Sequence, residues 1–567
     1  MTTLQTLDII VFLSYFFLVS GFGYWVYRRK KIENQSVADF FLAEGQLTWW
    51  AIGASLIASN ISAEQFIGMS GNGFRLGLAI SAYEWIGGLS LIIVAIFFMP
   101  IYLKNKIQTM PQFLKVRYNE TVALIMAVFW LFLYVFVNLT SILYLGSLAI
   151  NGLTGGNNFH VIMIVLALFA LIITLGGMKV IGYTDVIQVL VLSIGGLVTA
   201  YISLTLVSEK FGLGKDFLAG FNLLMEKAPQ HFHMIFSKPN ENSTVGQISN
   251  YVSLPGLAMF VGGMWIANLN YWGCNQYITQ RALGSDLKTA RSGILFAAFI
   301  KLVMPIMVVL PGIAAYVLFT SGDLQQQMMV GGELRVDNAY SAILNFLPVG
   351  LKGLSLAALT AAIVASLAGK ANSISTIYSL DIHKKYISKN TDDKKLVLIG
   401  RFVVVIALIL ALIVNWQDTL GIGGKGGFEF IQKYTGYVSP AIFAVFLLGF
   451  FWKKTTSKAA IAGIVGGFIL SVLFDKYIVT FAGNDTWLYT AYPVGGGKYE
   501  IPFLVSMGLV FFFTVLLMIV ISLLDTNAKG ESSTMEIDKS LYKVDKSNLA
   551  IIILFVGILA ALYIRFW

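Results

Sequence analysis

Residues Trp49 to Gly73 read WWAIGASLIASNISAEQFIGMSGNG, a run long enough to cross a bilayer that carries polar groups where a spanning helix should have none. At about 1.5 Å per residue it covers the ~30 Å hydrocarbon core. Ser59, Asn60, Ser62, Glu64 and Gln65 nevertheless fall at mid-segment, and Gly53, Gly68, Gly71 and Gly73 weaken the helix around them. Lipid cannot satisfy such groups, and irregular backbone at membrane depth is tolerated only where protein or a water-filled cavity surrounds it. A helix that opens near its middle frees carbonyls for a cation and turns amides toward a solute, so the stretch reads as the binding-site helix of a transporter. Taken alone, it also reads as a kinked structural helix whose polar residues hydrogen-bond to neighbouring helices.

The rest of the chain supports a membrane setting. Over 567 residues only 12% are charged and 57% are hydrophobic, which points to a polytopic membrane protein. The net charge of +10 gathers in short connections, so the partner it implies is a bilayer and not nucleic acid. Cys274 is the one cysteine, which excludes an internal disulfide and a cysteine-built metal site and leaves a small packing residue. The first apolar run lacks a basic leader and a cleavage site, and reads as a retained span.

Apolar runs of spanning length predict an all-α integral membrane protein of about fourteen helices, near 8–27, 48–74, 78–102, 121–150, 159–177, 183–207, 251–275, 290–318, 350–380, 399–416, 428–451, 458–480, 503–525 and 548–566. Basic residues follow the first span (Arg28 to Lys31) and recur after the third (Lys104, Lys106), ninth (Lys384, Lys385) and eleventh (Lys453, Lys454), which places these loops in the cytoplasm. Alternation then puts both termini, and the connections 208–250, 319–349 and 481–502, outside. Spans two and seven are both interrupted by polar residues, SNISAEQ and ANLNYWGCNQY (Ala267 to Tyr277). Broken helices five spans apart are the pointer to an inverted repeat of five plus five helices. The expected organisation is 1–47 as an extra span and loop, 48–207 as the first repeat, 208–250 as an outer loop, 251–451 as the second repeat and 452–567 as three further spans.

Each intramembrane polar group is costly unless paired or hydrated. Span three holds Tyr83, Glu84 and Trp85, span eight holds Lys301, and span eleven holds Phe428, Glu429 and Gln432. A carboxylate, an ammonium and amides beside aromatic faces suit a sugar, whose hydroxyls need donors and acceptors and whose C–H face stacks on a ring. A structural Glu84–Lys301 ion pair is the other reading of those two charges. His160, His231, His233 and His383 fall at loops or helix ends without ligand spacing. The Gly423 to Gly427 stretch, GGKGG, has no following Ser or Thr and reads as a loop, so ATP-driven transport has no support.

The stretches ASLIASNISAEQFIGMSG, AYEWIGG, ANLNYWGCNQYITQR, FAAFIKLVMPIMVVLPGIAAYV, ITLGGMKV with TDVIQ, and LLGFFWKKTTSKAA carry a resemblance to the sodium:solute symporter family, on the sodium/galactose and sodium/glucose branch, over nearly the whole chain. The resemblance implies secondary active transport, with inward sodium movement driving uptake of galactose or glucose and no covalent chemistry. Sodium is then the coupling ion, with no other cofactor and no obligate protein partner, in a bacterial inner membrane. Uptake of another polar solute such as inositol or sialic acid, with sodium or proton coupling, is the alternative on the same fold.

Carried over by position, the implied sugar contacts are Asn60, Gln65, Glu84, Asn268, Lys301 and Gln432, with Tyr271 and Trp272 as the stacking and inner-closing aromatics and Met69, Tyr83 and Phe428 as an outer gate. The implied sodium ligands are Ala58 and Ile61 on the broken helix and Ala362, Ala365 and Ser366 on span nine. This chain departs from that pattern at three places. Gly87 stands where a sugar-touching serine is expected, which leaves room for a water. Ala365 stands where paired serines are expected, which weakens sodium binding. Lys370 stands where an apolar residue is expected. Ala362, Ser366 and Lys370 share a helix face, and pairing of Lys370 with Asp185 would place an ammonium where some relatives hold a second sodium.

Overall fold

A computed structural model describes residues 4–29, 47–62, 64–154, 158–330, 332–418, 427–525 and 535–567. The segment 30–46, with Lys30 and Lys31 of the first basic connection, and most of the GGKGG stretch lie outside the described residues. Every apolar run expected from the sequence has helix at its place. By length and apolarity, ten helices among the described residues can cross a membrane, or eleven if the bent pair Val245–Val261 and Gly263–Cys274 is one span. The difference from fourteen has a local cause at each point. Phe159–Thr174 and Ser439–Phe451 are short, with 16 and 13 residues. The seventh run bends by 78°, and Glu64–Lys104 counts as one stretch of 41 residues. That stretch turns at Gly77, whose φ of 66° only glycine adopts easily, and whose absent Cβ would meet His231 O at 2.2 Å.

The helices fall into two compact units that interleave along the chain: residues 1–81, 130–233 and 280–431 in the first, and 82–129, 234–279 and 432–567 in the second. In the first unit the most buried span is Leu351–Ile387, which packs against Gly177–Lys210, Thr6–Arg29 and Trp49–Asn60. Asp8 accepts the amides of Gly350 (2.7 Å) and Gly353 (3.0 Å), a carboxylate at the orphan donors of that span's N-terminus. Leu287–Thr320 begins at Asp286, which accepts from the amides of Lys288 and Thr289 and from the Thr289 hydroxyl. These bonds hold its carboxyl below the ordinary aspartate range, the Thr289 hydroxyl first.

Glycines bring that helix against the broken one. A Cβ on Gly53 would lie 2.6 Å from Gly293 O, one on Gly73 2.7 Å from Val309 O, and one on Gly312 2.1 Å from Ser70 O. The glycines of the opening stretch therefore set backbone-to-backbone packing, the small-residue device of membrane helices, in addition to loosening their own helix.

In the second unit Gly263–Cys274 packs on Ala82–Ile93, Ser439–Phe451 and Phe503–Leu524. Arg117 donates to the carbonyls of Gly449 (2.8 Å), Trp452 (2.9 Å) and Thr455 (3.2 Å), which closes the C-terminus of Ser439–Phe451 at the LLGFFWKK motif. Two short hairpins, Met329–Val330 with Glu333–Leu334 and Tyr492–Gly495 with Lys498–Glu500, decorate the connections.

Candidate functional site

The first unit contains the helix interruption on which the sequence reading turned. Trp49–Asn60 ends at Ile61, which is extended (φ −77°, ψ 109°), and the chain resumes as a π-helical turn, Glu64–Met69, followed by Ser70–Leu76. Ser62 and Gln65 form the restart. The Ser62 amide donates to Gln65 Oε1 (3.0 Å), and the Glu64 amide donates to the Ser62 hydroxyl (3.1 Å), an S-x-x-Q capping arrangement.

That cap strips two carbonyls of their helical donors. In an unbroken helix the Ser62 amide would donate to Ala58 and the Gln65 amide to Ile61. Here the first goes to the Gln65 side chain and the second to Ser62 O (3.1 Å). Ala58 and Ile61 are both fully buried, and theirs are the two backbone oxygens that the family resemblance implies for sodium. Span nine lies against them, with Ser366 donating from Oγ to Ser59 O (3.0 Å) beside the buried Ala362 and Ala365. Oxygen atoms of carbonyl and hydroxyl groups suit a hard cation.

Gln65 thus has a structural task at its oxygen. Asn60 and Lys301, expected as separate sugar contacts, are brought together: the Lys301 ammonium donates to Asn60 Oδ1, with both residues buried. Pro305, one turn on, lacks the amide that would bond Lys301 O in a regular helix. Met69 and Phe428 are buried in the same unit, with the Phe428 Cβ 2.5 Å from where a Cβ on Gly68 would stand.

The expected Lys370–Asp185 pair is not formed. Lys370 Nζ lies 3.8 Å from Glu64 Oε1, at the start of the second half-helix. Asp185 accepts from the Ser55 hydroxyl and lies 3.8 Å from Arg281 Nη2. Arg281 also donates from Nε to Ser55 O (3.1 Å) and Oγ (2.9 Å). The reason is steric as well as electrostatic. A Cβ on Gly369 would lie 2.4 Å from Arg281 Nη2, so the missing side chain admits the guanidinium to Asp185. Lys370 is the next residue, about 100° around the helix, and faces elsewhere. The sequence reading missed Arg281 and Asp8. The available signal was a lone arginine, or a lone aspartate, bordering an apolar run, where an unpaired charge is expensive.

In the second unit the seventh run breaks at Asn275 (φ −99°, ψ 125°), after Gly263–Cys274, and resumes as Gln276–Leu283. Asn268 is buried and donates to Met264 O (3.0 Å) within the helix. Trp272 is buried, with Tyr271 edge-on to it at 5.0 Å and to Tyr277 at 5.6 Å. Glu84 and Tyr83 are buried at the start of Ala82–Ile93, and Gln432 is half-buried. The side chain of Glu429 lies outside the described residues. A Cβ on Gly87 would lie 3.1 Å from Asn268 Oδ1 and 3.2 Å from Trp272 Nε1. A side chain at Gly87 would therefore press on Asn268 and Trp272.

Of the histidines, His231 is buried with its ring 3.9 Å from that of Tyr316, and Nε2 lies 2.9 Å from Phe74 O. His160 Nε2 lies 3.0 Å from Trp416 O. Among the described residues no group of histidine, cysteine or carboxylate side chains has the arrangement of a metal cluster.

The chain is 43% identical to the sodium/glucose cotransporter of Vibrio parahaemolyticus over 574 aligned residues, covering 100% of this chain and 99% of the relative. It is 32% identical to the human sodium/myo-inositol cotransporter 2, covering 82% of this chain and 69% of the relative. A solved Na+-coupled sialic acid symporter superposes with a TM-score of 0.73 at 20% identity, covering 92% of this chain and 98% of that one, and so shares the fold. The sequence model of the sodium:solute symporter family matches residues 40–467. The chain is a multi-pass membrane transporter, not an enzyme, and it belongs to the sodium:solute symporter family.

Proposed function

We propose that the protein carries a hexose, glucose or galactose, into the cell by alternating access, driven by sodium moving inward in the same cycle. The observation that carries the sodium half is the fate of two amides. The S-x-x-Q cap takes the donors that Ala58 and Ile61 would otherwise receive, and Ser366 brings a hydroxyl to the same break. The proposed ligands are Ala58, Ile61, Ala362, Ala365 and Ser366. The sugar half is supported by the full-length similarity to a sodium/glucose cotransporter.

The proposed sugar contacts are Asn60, Gln65 and Lys301 in the first unit and Glu84, Asn268, Tyr271, Trp272 and Gln432 in the second. Met69, Tyr83 and Phe428 are the proposed outer gate, and Tyr271 also serves on the inner side. Because Gln65 Oε1 caps the half-helix, its amide nitrogen is the atom available to a hydroxyl. Asp185 is an ion-site modifier through Arg281, and Lys370 through Glu64. Fourteen crossings, a 5+5 repeat over 48–207 and 251–451, extracytoplasmic termini and an inner-membrane location complete the proposal. It is supported by a helix at each expected run and by the basic short connections.

The test is uptake of radiolabelled glucose and galactose by proteoliposomes of the purified protein under inward sodium, potassium or proton gradients, with Glu84→Ala as the control. Sodium-dependent uptake that the control loses is the expected result. Uptake of neither hexose under any gradient would reject the substrate. Because relatives named for myo-inositol match 83% of the chain, that cyclitol is the next solute to assay.

A further inference from the structure

Span nine straps the interrupted helix at both ends of its break. On the face that Ser366 and Lys370 share, the hydroxyl donates to Ser59 O in the last turn of the first half-helix, and the ammonium lies 3.8 Å from Glu64, the first residue of the second. The ion pair is buried, with side-chain exposures of 3% for Lys370 and 13% for Glu64. Four residues along a helix rise about 6 Å, so the two side chains leave span nine one turn apart on one face, each reaching the same interrupted helix. Within about 10 Å in a protein interior one uncompensated charge changes the affinity for a cation by about tenfold or more.

The geometry points to a built-in electrostatic set-point: the Glu64–Lys370 ion pair keeps the sodium position at Ser366 neutral in sum and thereby fixes the sodium affinity. The inference rests on the sodium reading above and gives the modifier role of Lys370 and Glu64 a physical cause and a sign. Its physical content is a difference of sign. If the pair were a structural tether only, loss of either member would loosen the break and weaken sodium binding. As a set-point its members act oppositely: without the carboxylate the ammonium repels sodium, and without the ammonium the carboxylate attracts it.

Direct binding of radioactive sodium to the purified full-length protein in detergent tests this, with sugar uptake as a second readout. Lys370→Met is expected to lower the half-saturating sodium concentration about tenfold, and Glu64→Gln to raise it about tenfold. The double variant should return to within about threefold of the native value, because the two charges are removed together. Lys370→Arg keeps the charge and should bind as the native protein does. If Glu64→Gln does not fold, the contrast of methionine with arginine at 370 still decides, since only the former should tighten binding. Shifts of the same sign in both single variants, or no shift, would overturn the set-point while leaving native sodium binding intact. Absence of sodium binding by the native protein would overturn the sodium reading and this inference with it.

Discussion

The two interrupted helices are alike in sequence and opposite in how their breaks are satisfied. At Asn275 the exposed backbone is closed by fixed neutral partners. The buried Tyr102 hydroxyl donates to Gly273 O at 2.6 Å, Asn275 O accepts from the amide and hydroxyl of Thr279, and the Gln276 side chain accepts from the Met110 amide at 2.7 Å. At Ile61 the carbonyls of Ala58 and Ile61 lose their helical donors, and what faces the break from span nine is a rotatable hydroxyl and a charge. A break closed by permanent hydrogen bonds is a hinge or a shaped wall. One held by groups that can exchange partners is a place for an ion. Polar residues in the middle of an apolar run mark an interruption in both cases, but only the destination of each amide and carbonyl tells which kind it is.

Ser366→Ala breaks the comparison most sharply. It removes the one side-chain oxygen proposed for sodium while leaving both half-helices capped by their own residues. The half-saturating sodium concentration for uptake should rise at least about tenfold, the weight of roughly 1.4 kcal/mol for one lost contact. The melting temperature should barely move. A large fall in thermal stability with unchanged sodium dependence would mean that the hydroxyl is glue at this break also.

Tyr102→Phe probes the other side. The substitution keeps the ring among Phe113 and Phe450 but leaves Gly273 O, buried at a helix end, without its donor. An unsatisfied buried carbonyl costs about 1–3 kcal/mol, to be read in the thermal unfolding of the purified protein. Sodium half-saturation should stay at the native value. A sodium effect as large as that of Ser366→Ala would erase the distinction between the two breaks.

The same contrast separates what the sequence could show from what it could not. Helix positions were legible because apolar runs and their polar interruptions are local, and the S-x-x-Q at Ser62 to Gln65 was there to be read as a restart signal. Ser366 was legible through the family resemblance, and its spacing from Lys370 put the two on one helix face. The partner of Lys370 was not, because two carboxylates, Glu64 and Asp185, were available to it and spacing along one helix cannot rank partners on others. What decided between them was Gly369. Its missing Cβ lets Arg281 reach Asp185, and that gap exists only once the helices are packed. The count of crossings was blurred for a related reason: a helix of 13 residues and a pair bent by 78° satisfy their ends through neighbours, which hydropathy does not see.

The smallest expected effect lies at Gly87, next to the second broken helix. A serine there puts its Cβ 3.1 Å from Asn268 Oδ1 and 3.2 Å from Trp272 Nε1, tighter than ordinary packing, so one neighbour has to give way. Trp272 is held edge-on by Tyr271, whereas Asn268 is tied by one hydrogen bond to Met264 O, so Asn268 is the group that moves. Its amide then turns toward the new hydroxyl, and the change reaches a sugar only through that amide. Half-saturation for glucose and galactose should therefore change unequally, by about threefold to tenfold, because epimers differ in a single hydroxyl direction and one hydrogen bond is worth about 1 kcal/mol. Gly87→Ala supplies the same Cβ without the hydroxyl. If alanine reproduces the serine result the cause is crowding alone, and if only serine separates the two sugars the wall of the second break takes part in choosing between them.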